Sequence, residues 1–230
     1  MRGWRACVLA TSTAAALCPM PVAAQAPTAP PQPRFEVAVG PTWIGGGSMG
    51  ARDALETTAS GGRFPLFATS TDLAPAPGSE GRLGVRVTRA LQMEAALSYT
   101  KAQLRTTISR DAEGAAETIA REPIGQLIVE GEALVSLSRW RAPGTRVTPF
   151  VSAGAGYLRQ LHDGAVLVET GWTYQLGGGV KVVLATRGGS RLRVIGLRGQ
   201  ARAIGRTNGV ALDRRSHLSP ALSASLYFGL

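Results

Sequence analysis

At 230 residues, with 25 Lys and Arg against 15 Asp and Glu, the chain carries a formal charge of +10. Its hydrophobic share is an ordinary 44%, but its charged share is only 17%, below the roughly 25% typical of soluble domains, so much of its surface must do without charge. The basic excess does not read as nucleic-acid binding, because the arginines are scattered and form no cluster.

Residues 1–24 predict a cleaved export signal. Arg2 and Arg5 precede an apolar run from Ala6 to Cys18, and Val22 and Ala24 are the small residues of a cleavage site after Ala24. The run is too short for the ~20 residues of a spanning helix. Cys7 and Cys18 leave with the signal, so no disulfide and no thiolate metal site is expected. The mature charge is about +8. Residues 25–34, rich in proline, predict an extended periplasmic linker.

From residue 35 to 230 the recurring pattern is alternation with period two, the mark of strands with one apolar and one polar face. A first strand, Arg34 to Ile44, sets Phe35, Val37, Val39 and Trp43 against Glu36, Ala38, Gly40 and Thr42. Residues 45–80 read as one long loop. A second strand, Gly81 to Thr88, opposes Leu83, Val85 and Val87 to Arg82 and Arg86, and a third, Ala90 to Arg105, opposes Leu91, Met93, Leu97 and Tyr99 to Gln92, Glu94 and Ser98. The fourth, Pro123 to Ser138, carries Glu130 and Glu132 on its polar face. In the fifth, Arg146 to Gln160, Phe150 and Leu158 interrupt the polar face. The sixth, Val168 to Ala185, sets Trp172, Tyr174 and Leu176 against Gln175, Gly177, Gly179 and Lys181. The seventh, Arg191 to Ile204, carries Arg198 and Arg202 and changes phase near Ile195–Gly196, where a bulge is expected. The eighth, His217 to Leu230, places Leu218, Leu222, Ala224, Leu226, Phe228 and Leu230 on one face.

Eight strands in sequence make an up-and-down meander, and eight is the smallest number usual for a membrane barrel. The connections alternate in length, about thirty-five, two, fifteen, eight, nine, six and twelve residues. Glu36, Glu94, Glu130 and Glu132 share the polar face with Arg82, Arg86, Lys181, Arg198 and Arg202. Opposite charges on one side of a small closed sheet can pair across a narrow lumen, which leaves the apolar face for lipid. The aromatics sort into two belts, Trp43, Tyr99, Tyr157 and Trp172 at one end and Phe35, Trp140 and Phe228 at the other. The expected fold is therefore all-β, an eight-stranded antiparallel up-and-down transmembrane β-barrel.

The last strand resembles the C-terminal strand of bacterial outer-membrane β-barrel proteins, with Leu222, Leu226, Phe228 and Leu230 in the positions of the assembly signal; the family usually ends in Phe or Trp where this chain has Leu230. The whole pattern resembles the OmpA/OmpX-type eight-stranded barrel domain. The resemblance implies a cell outer membrane location in a Gram-negative bacterium, with membrane lipids, lipopolysaccharide and the barrel assembly machinery as partners. The residues themselves place no cofactor and no enzymatic chemistry, so a structural or adhesion scaffold role is expected; the sequence names no extracellular ligand. A narrow or gated pore is the alternative.

A third reading rests on His217 and Ser219, which resemble the His-x-Ser of lipid A deacylase barrels. Pro220 follows where that family has Asn, and no acidic residue completes the set. Gly154–Gly156 and Gly177–Gly179 lie inside strands with no helix after them, so they clear lumen space and do not cradle phosphate. His162 has no second histidine near it and predicts no metal site. Arg52, Arg63, Arg110, Arg121, Arg214 and Arg215 are candidates for lipopolysaccharide phosphates.

Overall fold

The computed structural model describes residues 33–138, 146–162, 167–187, 192–210 and 216–230. The signal, nearly all of the Pro-rich segment, Trp140, Arg214 and Arg215 lie outside them. Ten strands appear in chain order: β1 (Phe35–Ile44), β2 (Gly47–Thr57), β3 (Arg63–Leu73), β4 (Ala76–Arg86), β5 (Leu91–Ser109), β6 (Thr118–Ser136), β7 (Val147–His162), β8 (Val168–Thr186), β9 (Val194–Asn208) and β10 (His217–Gly229).

Eight of them close a ring in the order β1, β4, β5, β6, β7, β8, β9, β10, and every pairing is antiparallel. The register carries Glu36 through Gly84, Glu94, Glu132, Gly154, Gln175 and Ile204 to Ser219. Glu36 itself faces Gly229 across the closing seam, ten residues further along β10. A shear of ten on eight strands tilts them by about 40° and gives each residue roughly 2.5 Å of rise along the barrel axis.

The expected loop over 45–80 is corrected. Most of it is strand: β2 pairs with β3, and β3 pairs in turn with the far end of β5, from Ala68↔Ser109 to Leu73↔Leu104. Alternation hides these strands because the register slips twice, between Ser48 and Ala51 and between Ala54 and Leu55. Outside the ring, moreover, neither face of β2 is sealed from water, so no strict two-residue code is demanded. The expected alternation of long and short connections is corrected too. β5 and β6 stay paired out to Ile108↔Thr118, while β7 ends at His162 and β8 begins at Val168. Length expected in loops has become ladder that extends one end of the barrel, called here the loop end. Both termini of the ring lie at the other, the terminal end, where Arg34 N–H donates to the Leu230 carbonyl at 3.1 Å.

Two details show local sequence setting the wall. The carbonyl of Pro220 accepts from Gly45 N–H at 2.7 Å. In a strand the N–H and C=O of one residue point the same way, so the donor that proline lacks is also on the β1 side. The β1–β10 ladder stops at Ile44↔Ala221 accordingly, and a Cβ on Gly45 would lie 2.7 Å from the Pro220 ring. The bulge expected at Ile195–Gly196 is shifted to the partner strand. The slip is between Val183 and Ala185 of β8, opposite those two residues, while β9 runs unbroken against β10.

The outer wall is apolar. Val39, Leu83, Leu97, Val129, Leu176, Leu197 and Leu222 are all about half exposed or more. On a water-soluble protein so continuous an apolar surface would be exceptional; facing lipid it is what backbone closure in a membrane requires.

Candidate functional site

Small inward residues make room for long ones. A Cβ on Gly177 would lie 2.7 Å from the Cβ of Arg202, and one on Gly179 would lie 2.8 Å from the tip of the Phe150 ring. The lumen buries five carboxylates, Glu36, Glu80, Glu94, Glu130 and Glu132, and five cations, Arg82, Lys181, Arg198, Arg202 and Arg206.

Ion pairs of alternating sign run up the lumen. Lys181 donates to Glu36 at 2.6 Å and stands 3.7 Å from Glu94. Arg198 places Nη1 at 2.8 and 2.7 Å from the two Glu94 oxygens and stacks over Phe150 with its guanidinium carbon 4.8 Å from the ring centre. Arg82 joins Glu80 at 2.6 Å, Glu94 at 3.2 Å and Glu132. Arg202 joins Glu80 and stands 3.6 Å from Glu130. Neutral groups fill the remaining acceptor positions: Gln200 Nε2 donates to Glu132 and Ser152 at 2.9 Å each, Gln175 to Glu132 at 3.2 Å, and Thr173 to Glu130 at 3.0 Å. Charges removed from water are tolerable only in such a paired and hydrogen-bonded state.

Of the residues expected in the lumen, Glu36, Arg82, Glu94, Glu130, Glu132, Lys181, Arg198 and Arg202 are all buried there, and Arg86 is half-buried at the terminal end. Sequence reasoning missed Glu80, assigned to the long loop, and Arg206, beyond the expected end of the seventh strand. Both keep the parity of their neighbours Arg82 and Arg202, and that parity was the signal available. A second correction concerns what fills the barrel. The expected charge-filled lumen carries its ion-pair network only toward the terminal end, with Arg206 alone of the buried charges higher up. Farther up, Ile44, Ile128, Leu158, Ile204 and Ala221, from five ring strands, form one buried apolar cluster. Above it lies a second, Met49, Leu73, Ala76, Ala102, Leu104 and Ile124.

On the outer wall Trp43, Tyr99, Tyr157 and Trp172 are 40–62% exposed. The register places them within roughly 6 Å of one level, and Tyr157 and Trp172 meet edge to face with centroids 6.1 Å apart. Phe35, half exposed, and Phe228, half-buried, lie at the terminal end, about 20 Å below. Leu222 and Leu230 are exposed and Leu226 is half-buried, all on this wall.

The deacylase geometry is absent. Ser219 is completely buried and faces the lumen, and His217 shares that face by parity, so the pair does not address lipid outside the wall. Gly154, Gly156, Gly177 and Gly179 lie within β7 and β8 and hold no loop. His162 meets the Glu122 carboxylate at 2.7 Å and stands 3.9 Å from Glu169; among the described residues no group of three or more His, Cys, Asp and Glu is placed to hold a metal ion. Arg52, Arg63 and Arg121 are exposed on the loop-end strands, and Arg110, also exposed, is 3.2 Å from Asp53.

No protein-family model matches the sequence, and no curated protein matches it significantly. Solved structures do match. Neisserial surface protein A is 13% identical, with 85% of this chain and 97% of that one aligned at a TM-score of 0.51. The outer membrane protein OprG from Pseudomonas aeruginosa is 8% identical, with 86% and 96% aligned at a TM-score of 0.50. At such identities the likeness speaks for the fold alone. Ring, shear, apolar wall and these alignments agree: this chain has the fold of the OmpA-like eight-stranded outer-membrane β-barrels.

Proposed function

We propose that the protein is an integral outer-membrane barrel that does not conduct and that presents its loop end outside the cell as an interaction scaffold. The observation that carries this reading is the filling of the lumen. An ion-pair chain from Lys181 to Glu130 is followed by the apolar cluster around Ile128 and Leu158. A water-filled path would have to break paired charges and wet an apolar layer at once. Export by the signal over residues 1–24 and an apolar wall support the outer-membrane location. Outward Leu222, Leu226, Phe228 and Leu230 on the closing strand support handling by the barrel assembly machinery. In this fold termini face the periplasm, which puts β2, β3 and the far ends of β5 and β6 outside. Arg52, Arg63 and Arg121 then stand where lipopolysaccharide phosphates lie, and the aromatic belt of Trp43, Tyr99, Tyr157 and Trp172 at the outer interface.

The test is conductance in planar bilayers. The folded protein, identified by resistance to a carbonate wash and a mobility shift on boiling, is expected to give no steady channels. Steady unitary currents from the unaltered protein would replace the scaffold with the pore reading.

A further inference from the structure

Arg206 stands apart from the other buried cations. It is 2% exposed, makes no ion pair among the described residues, and its Nε, Nη1 and Nη2 all lack a hydrogen-bond partner. Besides single nitrogens of the ion-paired arginines, the buried side chains with a polar atom that lacks a partner include Thr100 Oγ1, Gln126 Nε2 and Ser219 Oγ. In the ring order β5 stands opposite β9, and β6 opposite β10. Thr100 therefore faces Arg206 across the lumen, and Gln126 faces Ser219. The register puts all four within about 4 Å of one axial level.

This polar level is bounded by apolar ones. Ile204 lies one inward position below Arg206, Ala221 one below Ser219, and Ile128 one below Gln126, all three in the lower cluster. Ala102 lies one inward position above Thr100 and Ile124 one above Gln126, both in the upper cluster. Unpaired donors in an apolar setting are among the arrangements folds avoid most consistently. Glu130, the carboxylate that acts on Arg206 electrostatically, is already engaged by Thr173 and Arg202.

The geometry points to a binding site for one small oxyanion, of the size and charge of formate or nitrate, held in the lumen between the two apolar clusters. The guanidinium supplies a planar fork for two oxygens. Gln126 Nε2 and the two hydroxyls supply donors from the opposite wall and from β10. A halide offers the fork one acceptor atom in place of two and cannot also reach the donors on the opposite wall, and a large organic anion would have to displace the apolar side chains above and below. The inference concerns only this upper level and holds whether or not the barrel conducts.

The mature full-length protein is refolded from urea into detergent with formate, nitrate, chloride or a bulky sulfonate as the sole added anion, and its urea midpoint is recorded. A saturable rise with formate and nitrate is expected, at least several-fold larger than with chloride or sulfonate. Isotope-labelled formate should show slow exchange and magnetisation transfer to the Arg206 Nε proton. Arg206→Gln should lose the formate dependence, and Arg206→Lys should weaken it tenfold or more. If Arg206→Gln does not refold, Gln126→Leu decides, with formate binding expected to weaken about tenfold in a barrel that still shows the boiling shift. An unaltered protein that responds to neither oxyanion overturns the site. An equal response to chloride and formate, or an Arg206→Gln or Gln126→Leu protein that binds formate like the original, also overturns it.

Discussion

Within the lumen, the value of one side chain depends on how many neighbours it leaves unpaired. Glu94 meets Arg82, Lys181 and Arg198 within 4 Å, and Glu132 meets Arg82 directly while also accepting from Gln175 and Gln200. Replacing Glu94 with Ala takes a carboxylate from three cations and leaves Arg198 with none nearer than Glu132 at 3.9 Å, and a broken buried pair costs about 3–5 kcal/mol. Urea titration of the refolded barrel should show at least that loss. Changing Glu94 and Arg198 together to Leu should cost less than the two single changes added, because no charge of that pair is then left behind. Gly177→Val is expected to prevent closure, since its side chain would fall on the Ala201 carbonyl and on Arg202; the readout is absence of the mobility shift. Most of the charged residues were legible from parity alone, since an inward position in a closed wall has no other place to put its side chain. The split between charged and apolar levels was not legible, because Ile44, Ile128 and Ile204 have the same parity as the charged residues and only the stagger of the ring tells which inward positions share a level.

Among the elements, the ring strands and the β2–β3 hairpin obey different constraints. A ring strand is sealed on one face by lipid and on the other by the lumen, so a one-residue slip would exchange the two. That is why all eight ring strands could be placed from sequence to within a few residues at most ends, and why the eighth was legible nearly to the residue. The hairpin answers to no such rule, and its two register slips erased the pattern. The ring closes without it, since β1 pairs directly with β4. Replacing residues 48–72 with a short turn should therefore leave a barrel that still shifts on boiling. A drop in melting temperature is expected from the loss of Met49 in the upper apolar cluster. Binding to lipopolysaccharide-coated surfaces should fall with the loss of Arg52 and Arg63.

For the molecule as a whole, closure is the organising fact. Eight strands leave no edge, the apolar wall covers all sides, and the interior is occupied from the terminal end to the upper cluster. Removing the salt-bridge chain and one apolar layer together, as in Arg82→Ala with Leu158→Ala, is expected to admit ions where neither change alone does. Bilayer conductance compared across the three variants is the check.

The seam between β1 and β10 also dictates a sequence of events in time. Val37 faces Phe228 and Glu36 faces Gly229, so the first strand of the ring cannot be satisfied until the last has emerged. Until then the growing sheet has two open edges, each a row of unpaired backbone groups ready to accept a foreign strand. Contacts so distant along the chain are slow to form without help. An escort that covered the β1 edge through synthesis and export, and gave it up to β10, would remove that hazard in the cell. A chain truncated before His217 should accumulate on such an escort or aggregate through that edge, a result that pull-down and sedimentation of the truncated chain would reveal.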